Sequence, residues 1–314
     1  MSTTEMSHRQ TRNEEMSQPI QQPPLEQPAG EIGMMAIDNG LTLRRLVAQP
    51  AGTSRGTVLL LHGFPETLLA WQKIVPALAT DHEVHAFDWP GFGLSTRPPV
   101  DQFAYAPRDY AGVLKAYIAA SGIDRSTLTI YATDIGALPA LLLALEEPQT
   151  ARSIIVGDFA PFDRPDHMSE NLRKLKAAPS AGAVRDFMNT HRDELLAGIF
   201  WRGLPATAQY DIAGAFRDDM ARSWSQNGMT VVDAFAQYYS HFTRDQDYFE
   251  AHLARLKTKV TVVWGEEDPF IRREMGIELA VRIGTEVKLL PGIGHYPHLQ
   301  APDQAVAEIR AAMG

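Results

Sequence analysis

The chain has 314 residues, 45% of them hydrophobic, and a net charge of −9 from 38 acidic and 29 basic residues. That length supports one large α/β domain or a domain with an inserted lid, and the interspersed charges leave no basic face for nucleic acid. No apolar run reaches the roughly 18 residues that span a bilayer, and the absence of cysteine excludes disulfides, thiol nucleophiles and thiolate metal sites and fits a cytoplasmic location.

Residues 1 to 30 are rich in Ser, Thr, Gln, Glu and Pro and lack aliphatic periodicity, so a disordered tail is expected there, and nothing in it reads as a secretory signal. Two apolar runs, Met34–Ile37 and Leu41–Ala48, flank Asp38-Asn39-Gly40 and read as an opening hairpin. Thr57–Leu61 is a continuous apolar strand of the kind buried on both faces of a parallel sheet, and it runs into His62-Gly63-Phe64-Pro65-Glu66. A helix carrying Trp71, Ile74, Val75 and Leu78 follows. Val84–Asp88 reads as the next strand, and it ends in the glycine-rich loop Asp88-Trp89-Pro90-Gly91-Phe92-Gly93-Leu94-Ser95. That loop lacks both the dinucleotide spacing and the Gly-Lys-Ser/Thr of a phosphate cradle. Tyr110–Ala120 is predicted as a helix. Strands and helices alternating in this way indicate a parallel sheet covered on both faces.

Leu128–Ala144 begins as a buried strand, turns through small residues and continues at helical length. At the turn stands Asp134, framed as Ala132-x-Asp134-x-Gly136, the small-residue setting a strained strand-to-helix elbow requires. An Asp raised there, at the positive end of a helix, is a nucleophile for an sp³ carbon bearing a leaving group and would form an alkyl ester. Its competing reading is a simple helix N-cap. Ser153–Gly157 is the next strand. Between about 160 and 250 helical, aromatic-rich patterns take over, after which Val260–Trp264 and Glu286–Leu290 read as strands and Pro302–Met313 as a closing helix.

Taken together, His62-Gly63-Phe64-Pro65-Glu66, the loop Asp88–Ser95, the Asp134 elbow, Gly265-Glu266-Glu267-Asp268-Pro269 and Gly294-His295 resemble the α/β-hydrolase superfamily, in its epoxide hydrolase and haloalkane dehalogenase branch. The resemblance runs from about residue 32 to the C-terminus. It implies an α/β-hydrolase core over 31–159 and 251–314 with a helical cap inserted at 160–250, and no metal or organic cofactor.

The resemblance also assigns roles. Asp134 is the nucleophile, His295 the base and Asp268 the acid that orients it, with Glu266 and Glu267 as competitors for the last role and Asp158, at the preceding strand end, ranked second. The backbone N–H groups of Phe64 and Ile135 would form the oxyanion hole. In Gln237-Tyr238-Tyr239-Ser240, Tyr239 aligns best with the cap acid that protonates an opening epoxide, and Tyr238 stands beside it. Trp201 and Tyr210 are candidates for a second acid, and His298 is read as structural. Ile135, directly after the nucleophile, has no side-chain donor for a halide.

The expected activity is therefore hydrolysis of an epoxide to a vicinal diol through an Asp134 ester that His295-activated water cleaves. The partners are a small hydrophobic substrate and water, with the protein acting as a monomer or homodimer. Haloalkane or haloacid dehalogenation by the same nucleophile is the alternative, and a non-catalytic ligand-binding protein is the alternative of another class.

Overall fold

The computed structural model describes residues 29–313, so the expectation of a disordered tail falls, but for Ala29 and Gly30, outside the described residues. The opening hairpin pairs β1 (Glu31–Ala36) with β2 (Thr42–Ala48) in register Met35↔Leu43, across a short 3-10 turn at Asp38–Gly40. Next come β3 (Thr57–Leu61), the helix α1 (Val75–Leu78) and β4 (Glu83–Phe87). The helix expected around Trp71 is split, because a 3-10 turn over Leu68–Trp71 precedes α1 and Pro76 restarts the helix within its first turn. The helix α2 (Pro107–Ala120) begins three residues before the expected Tyr110, with proline at its first position and Asp109 accepting the Ala106 N–H at 3.0 Å.

The chain continues through β5 (Leu128–Thr133), α3 (Ala137–Glu146) and β6 (Ser153–Gly157). A helical insertion follows: α4 (Glu170–Lys176), α5 (Ala178–Thr190), α6 (Arg192–Gly198), α7 (Gly214–Arg222), the two-residue strands β7 (Ser225–Gln226) and β8 (Met229–Thr230), then α8 (Val231–Ser240) and α9 (Phe242–His252). The sheet resumes with β9 (Lys259–Gly265), and α10 (Glu274–Ile283), β10 (Val287–Leu290), α11 (Pro297–Gln300) and α12 (Pro302–Met313) complete the chain.

Eight strands form one sheet in the order β1-β2-β4-β3-β5-β6-β9-β10. The β1/β2 and β2/β4 pairs are antiparallel and every other pair is parallel. The central strands β3, β5 and β6 are buried at every residue, which is why they read as unbroken apolar runs rather than alternating ones. Two of their buried polar side chains satisfy one another: Thr129 and Ser153 share a hydrogen bond at 3.0 Å, and Ser153 donates to the Ala312 carbonyl. Apolar clusters cover both faces of the sheet, one built with α2, α3 and α8, the other with α1 and α12.

Two buried arginines hold the insertion to the sheet. Arg44, on β2, reaches Asp88 at the end of β4 (2.5 Å) and Asp219 on α7 (2.5 Å), and Thr67 adds a hydrogen bond to Asp219 at 2.7 Å. Arg97 donates to the carbonyls of Gly93, Ser223, Trp224 and Met229, which ties the glycine-rich loop to the α7–α8 connection.

Candidate active site

Asp134 follows β5 directly and adopts φ 49°, a left-handed conformation that costs a non-glycine residue about 1–3 kcal/mol. The neighbours make room for it. A Cβ on Gly63 would stand 2.6 Å from Asp134 Cβ, so that position demands glycine for close approach, and one on Gly136 would press on Leu61 Cβ at 3.1 Å. The turn leaves the Asp134 carboxylate with the Phe64 N–H donating to Oδ2 at 3.0 Å and with His295 Nε2 at 3.5 Å from the same oxygen. Ile135, the other expected oxyanion donor, is buried, and its carbonyl accepts from the Tyr238 hydroxyl at 3.2 Å.

On its other side the His295 ring meets Asp268, with Nδ1 to Oδ2 at 2.7 Å. The second oxygen of Asp268 is held by the N–H groups of Phe270 (2.8 Å) and Ile271 (3.1 Å), which fixes the carboxylate for the imidazole. Glu266 points away and pairs with Arg273. Asp158 is also close: its carboxyl, Asp268 and His295 offer polar atoms all within 4.8 Å of one another, and its Oδ1 accepts the Gly265 N–H at 2.9 Å. The electrostatics divide these groups. Burial would keep His295 neutral, but Asp268 and Asp134 overcome it, so the imidazole pKa is raised well above its ordinary value. Burial and the neighbouring Asp268 charge push the Asp158 carboxyl well above its ordinary value, so it gives up its proton less readily than a free carboxyl.

Asp134 and His295 open into a cavity of about 440 Å³ whose walls include Phe64, Leu172, Phe187, Phe235, Tyr239 and Tyr296. Its size and apolar lining suit a small organic ligand. Tyr239 lies in this wall, and burial together with Asp134 and Asp268 raises its phenol pKa well above the usual value. Three expectations for the insertion need correction. Tyr238 is turned to Ile135 O and is not among the cavity-lining residues. Trp201 donates its indole N–H to Tyr210 O at 2.8 Å, while the Tyr210 hydroxyl donates to Phe200 O at 2.8 Å; each is held by backbone and neither lines the cavity. Sequence reasoning missed Tyr296, which lines the cavity and donates its hydroxyl to Phe64 O at 3.0 Å. Its only signal was adjacency to His295.

A strained acidic elbow after β5, an acid after β9 and a histidine in the loop after β10 thus meet at one end of a mostly parallel sheet. The profile described as Alpha/beta hydrolase family matches residues 58–309. The chain is a member of the alpha/beta hydrolase family. The chain is 26% identical over 258 residues to the mesoderm-specific transcript protein of Mus musculus, covering 78% of this chain and 75% of that protein. A shorter match, 34% identical over 115 residues and 36% of each chain, is to a haloalkane dehalogenase of Mesorhizobium japonicum. The solved structure of epoxide hydrolase A from Mycobacterium thermoresistibile shares the fold, with TM-score 0.71 and 21% identity over 90% of this chain and 98% of that one.

Proposed function

We propose that this hydrolase opens an epoxide to a vicinal diol through an alkyl ester on Asp134, with the helical insertion acting as a cap. The observation that carries the reading is the placement of the Asp134 carboxylate: it faces an apolar cavity, held by the Phe64 N–H and approached by His295, with Tyr239 in the wall. In the first half-reaction an Asp134 oxygen attacks the epoxide carbon, the ring C–O bond breaks and the departing oxygen takes the Tyr239 proton. Loss of the Asp134 charge removes one of the anions that raise both the Tyr239 and the His295 pKa values, so the phenol becomes a better acid as the bond breaks.

The same loss removes one of the two anions that hold the proton on His295, so the ring gives that proton up more readily. Its proton passes to the Tyr239 phenolate, and the neutral ring, oriented by Asp268, then takes a proton from water that attacks the ester carbonyl. The oxyanion forms beside the Phe64 N–H. Collapse releases the diol and regenerates the Asp134 carboxylate and the protonated His295, so the cycle closes with one water consumed.

The experiment is intact-mass spectrometry of the His295→Gln protein after incubation with epoxide and haloalkane panels. The expected result is an adduct of the epoxide's mass on Asp134, absent in His295→Gln/Asp134→Asn. Diol formation with no adduct and full activity of Asp134→Asn would remove the nucleophile from the proposal. The local match to a haloalkane dehalogenase favours carbon–halogen hydrolysis as the second reading. Against it, none of the five tryptophans lines the cavity to bind a halide. Halide release outpacing diol formation would establish it.

A further inference from the structure

The oxyanion donor at Phe64 is held in place from the histidine loop, through contacts that the proposed chemistry leaves unused. Glu66 is wholly buried, and its Oε2 accepts the Gly63 N–H at 2.7 Å, one peptide before the donor. Its Oε1 receives His298 Nε2 at 2.6 Å, and the His298 side chain is also wholly buried. From the same loop, Tyr296 donates to Phe64 O at 3.0 Å. The peptides on either side of the Phe64 N–H are thus fastened to residues one and three positions after His295. Trp71 backs the His298 ring at 4.5 Å between centroids.

A fully buried carboxylate–imidazole pair is weak evidence for stability, since desolvation offsets most of the attraction. What it supplies is position, and position is what an oxyanion donor needs, because its contribution depends on being aimed before charge develops. We infer that Glu66 and His298, with Tyr296, form a strut that sets the Phe64 N–H relative to His295, so that the two groups acting in ester hydrolysis are placed by one another. They are positioning residues, and the inference rests on the proposed Asp134 ester. Because the donor matters most when the ester carbonyl becomes an oxyanion, loosening the strut should slow the second half-reaction far more than the first.

The test separates the two half-reactions by quenched-flow mass spectrometry of the full chain with styrene oxide, or with whichever epoxide of the panel labels the His295→Gln protein. In His298→Leu, ester hydrolysis should fall by about tenfold to a hundredfold, at or below the effect of deleting one oxyanion donor. The ester should then accumulate on Asp134, while its rate of formation changes little. In His298→Gln the amide can still donate to Glu66, and most of the hydrolysis rate should return. Should His298→Leu fail to fold, Tyr296→Phe, which opens no cavity, carries the test: it should show the same ester accumulation to a smaller degree. Parallel loss of both half-reactions, no rescue by His298→Gln, or an unmoved partition in Tyr296→Phe would overturn the strut. A wild-type and His295→Gln protein forming no adduct with any compound would overturn the functional reading instead.

Discussion

Asp268 and Asp158 stand beside one histidine and differ in what surrounds them. Asp268 faces the ring at 2.7 Å with two backbone N–H groups on its far oxygen, whereas Asp158 spends one oxygen on Gly265 N–H and has its pKa raised by burial and by Asp268 itself. Asp268→Asn should therefore slow ester hydrolysis by roughly a hundredfold or more, in line with loss of the orienting acid in hydrolytic triads. Asp158→Asn, which keeps an acceptor for Gly265, should leave it within about threefold. Single-turnover rates of the two variants check this, and the reverse ranking would move the role to Asp158. In the sequence, Glu266, Glu267 and Asp268 were three carboxylates in a row. What separates Asp268 from Glu266 is the Arg273 that draws Glu266 away, a tertiary contact that no local pattern displays.

The elbow was legible as an element because its geometry makes demands on neighbouring residues. A residue at positive φ between a buried strand and a buried helix tolerates only small companions, and Ala132, Gly136 and Gly63 announce that in one dimension. Gly63→Ala should displace Asp134 and abolish ester formation while costing about 1–3 kcal/mol of stability, as overpacking does; an active variant with unchanged melting temperature would contradict the contact. Helix α8 was only half legible. Successive helical residues point about 100° apart, so of Tyr238 and Tyr239 only one faces the cavity, and tertiary packing decides which. Tyr239 faces it, while Tyr238 spends its hydroxyl on Ile135. Trp201 and Tyr210 were misread for a related reason: in irregular chain an aromatic with a polar handle serves backbone as readily as ligand.

Across the whole molecule the buried titratable groups set how stability responds to pH. Glu66 and Asp219 have lowered pKa values, burial opposing but His298 and Arg44 prevailing, so their contribution is present above the ordinary carboxylate range and is lost only on strong acidification. His295 and Asp158 are raised. Their contribution is complete below about 6.5 and 3.9 respectively, and it is lost as pH climbs through the folded-state values. The melting temperature should therefore decline as pH rises beyond these ordinary values, and Asp158→Asn should flatten that decline; parallel profiles for variant and wild type would show that the fold does not raise the Asp158 pKa. The His295–Asp268 coupling was foreseen through the resemblance, but the Arg44–Asp219 and Glu66–His298 pairs were not, since their partners lie 175 and 232 positions apart.

The Arg44 and Arg97 contacts also make the roof of the cavity asymmetric. Its α7–α8 margin is fastened to β2 by Arg44 and to the glycine-rich loop by Arg97, both desolvated, while α4, α5 and α6 line the chamber with Phe187 half in solvent. The α4 end is pinned as well, by the Ser169 N–H on Phe270 O and by Lys176 on Asp163 and Gln246, which leaves the exposed Phe187 on α5 as the wall residue beside which reactants are expected to enter and leave.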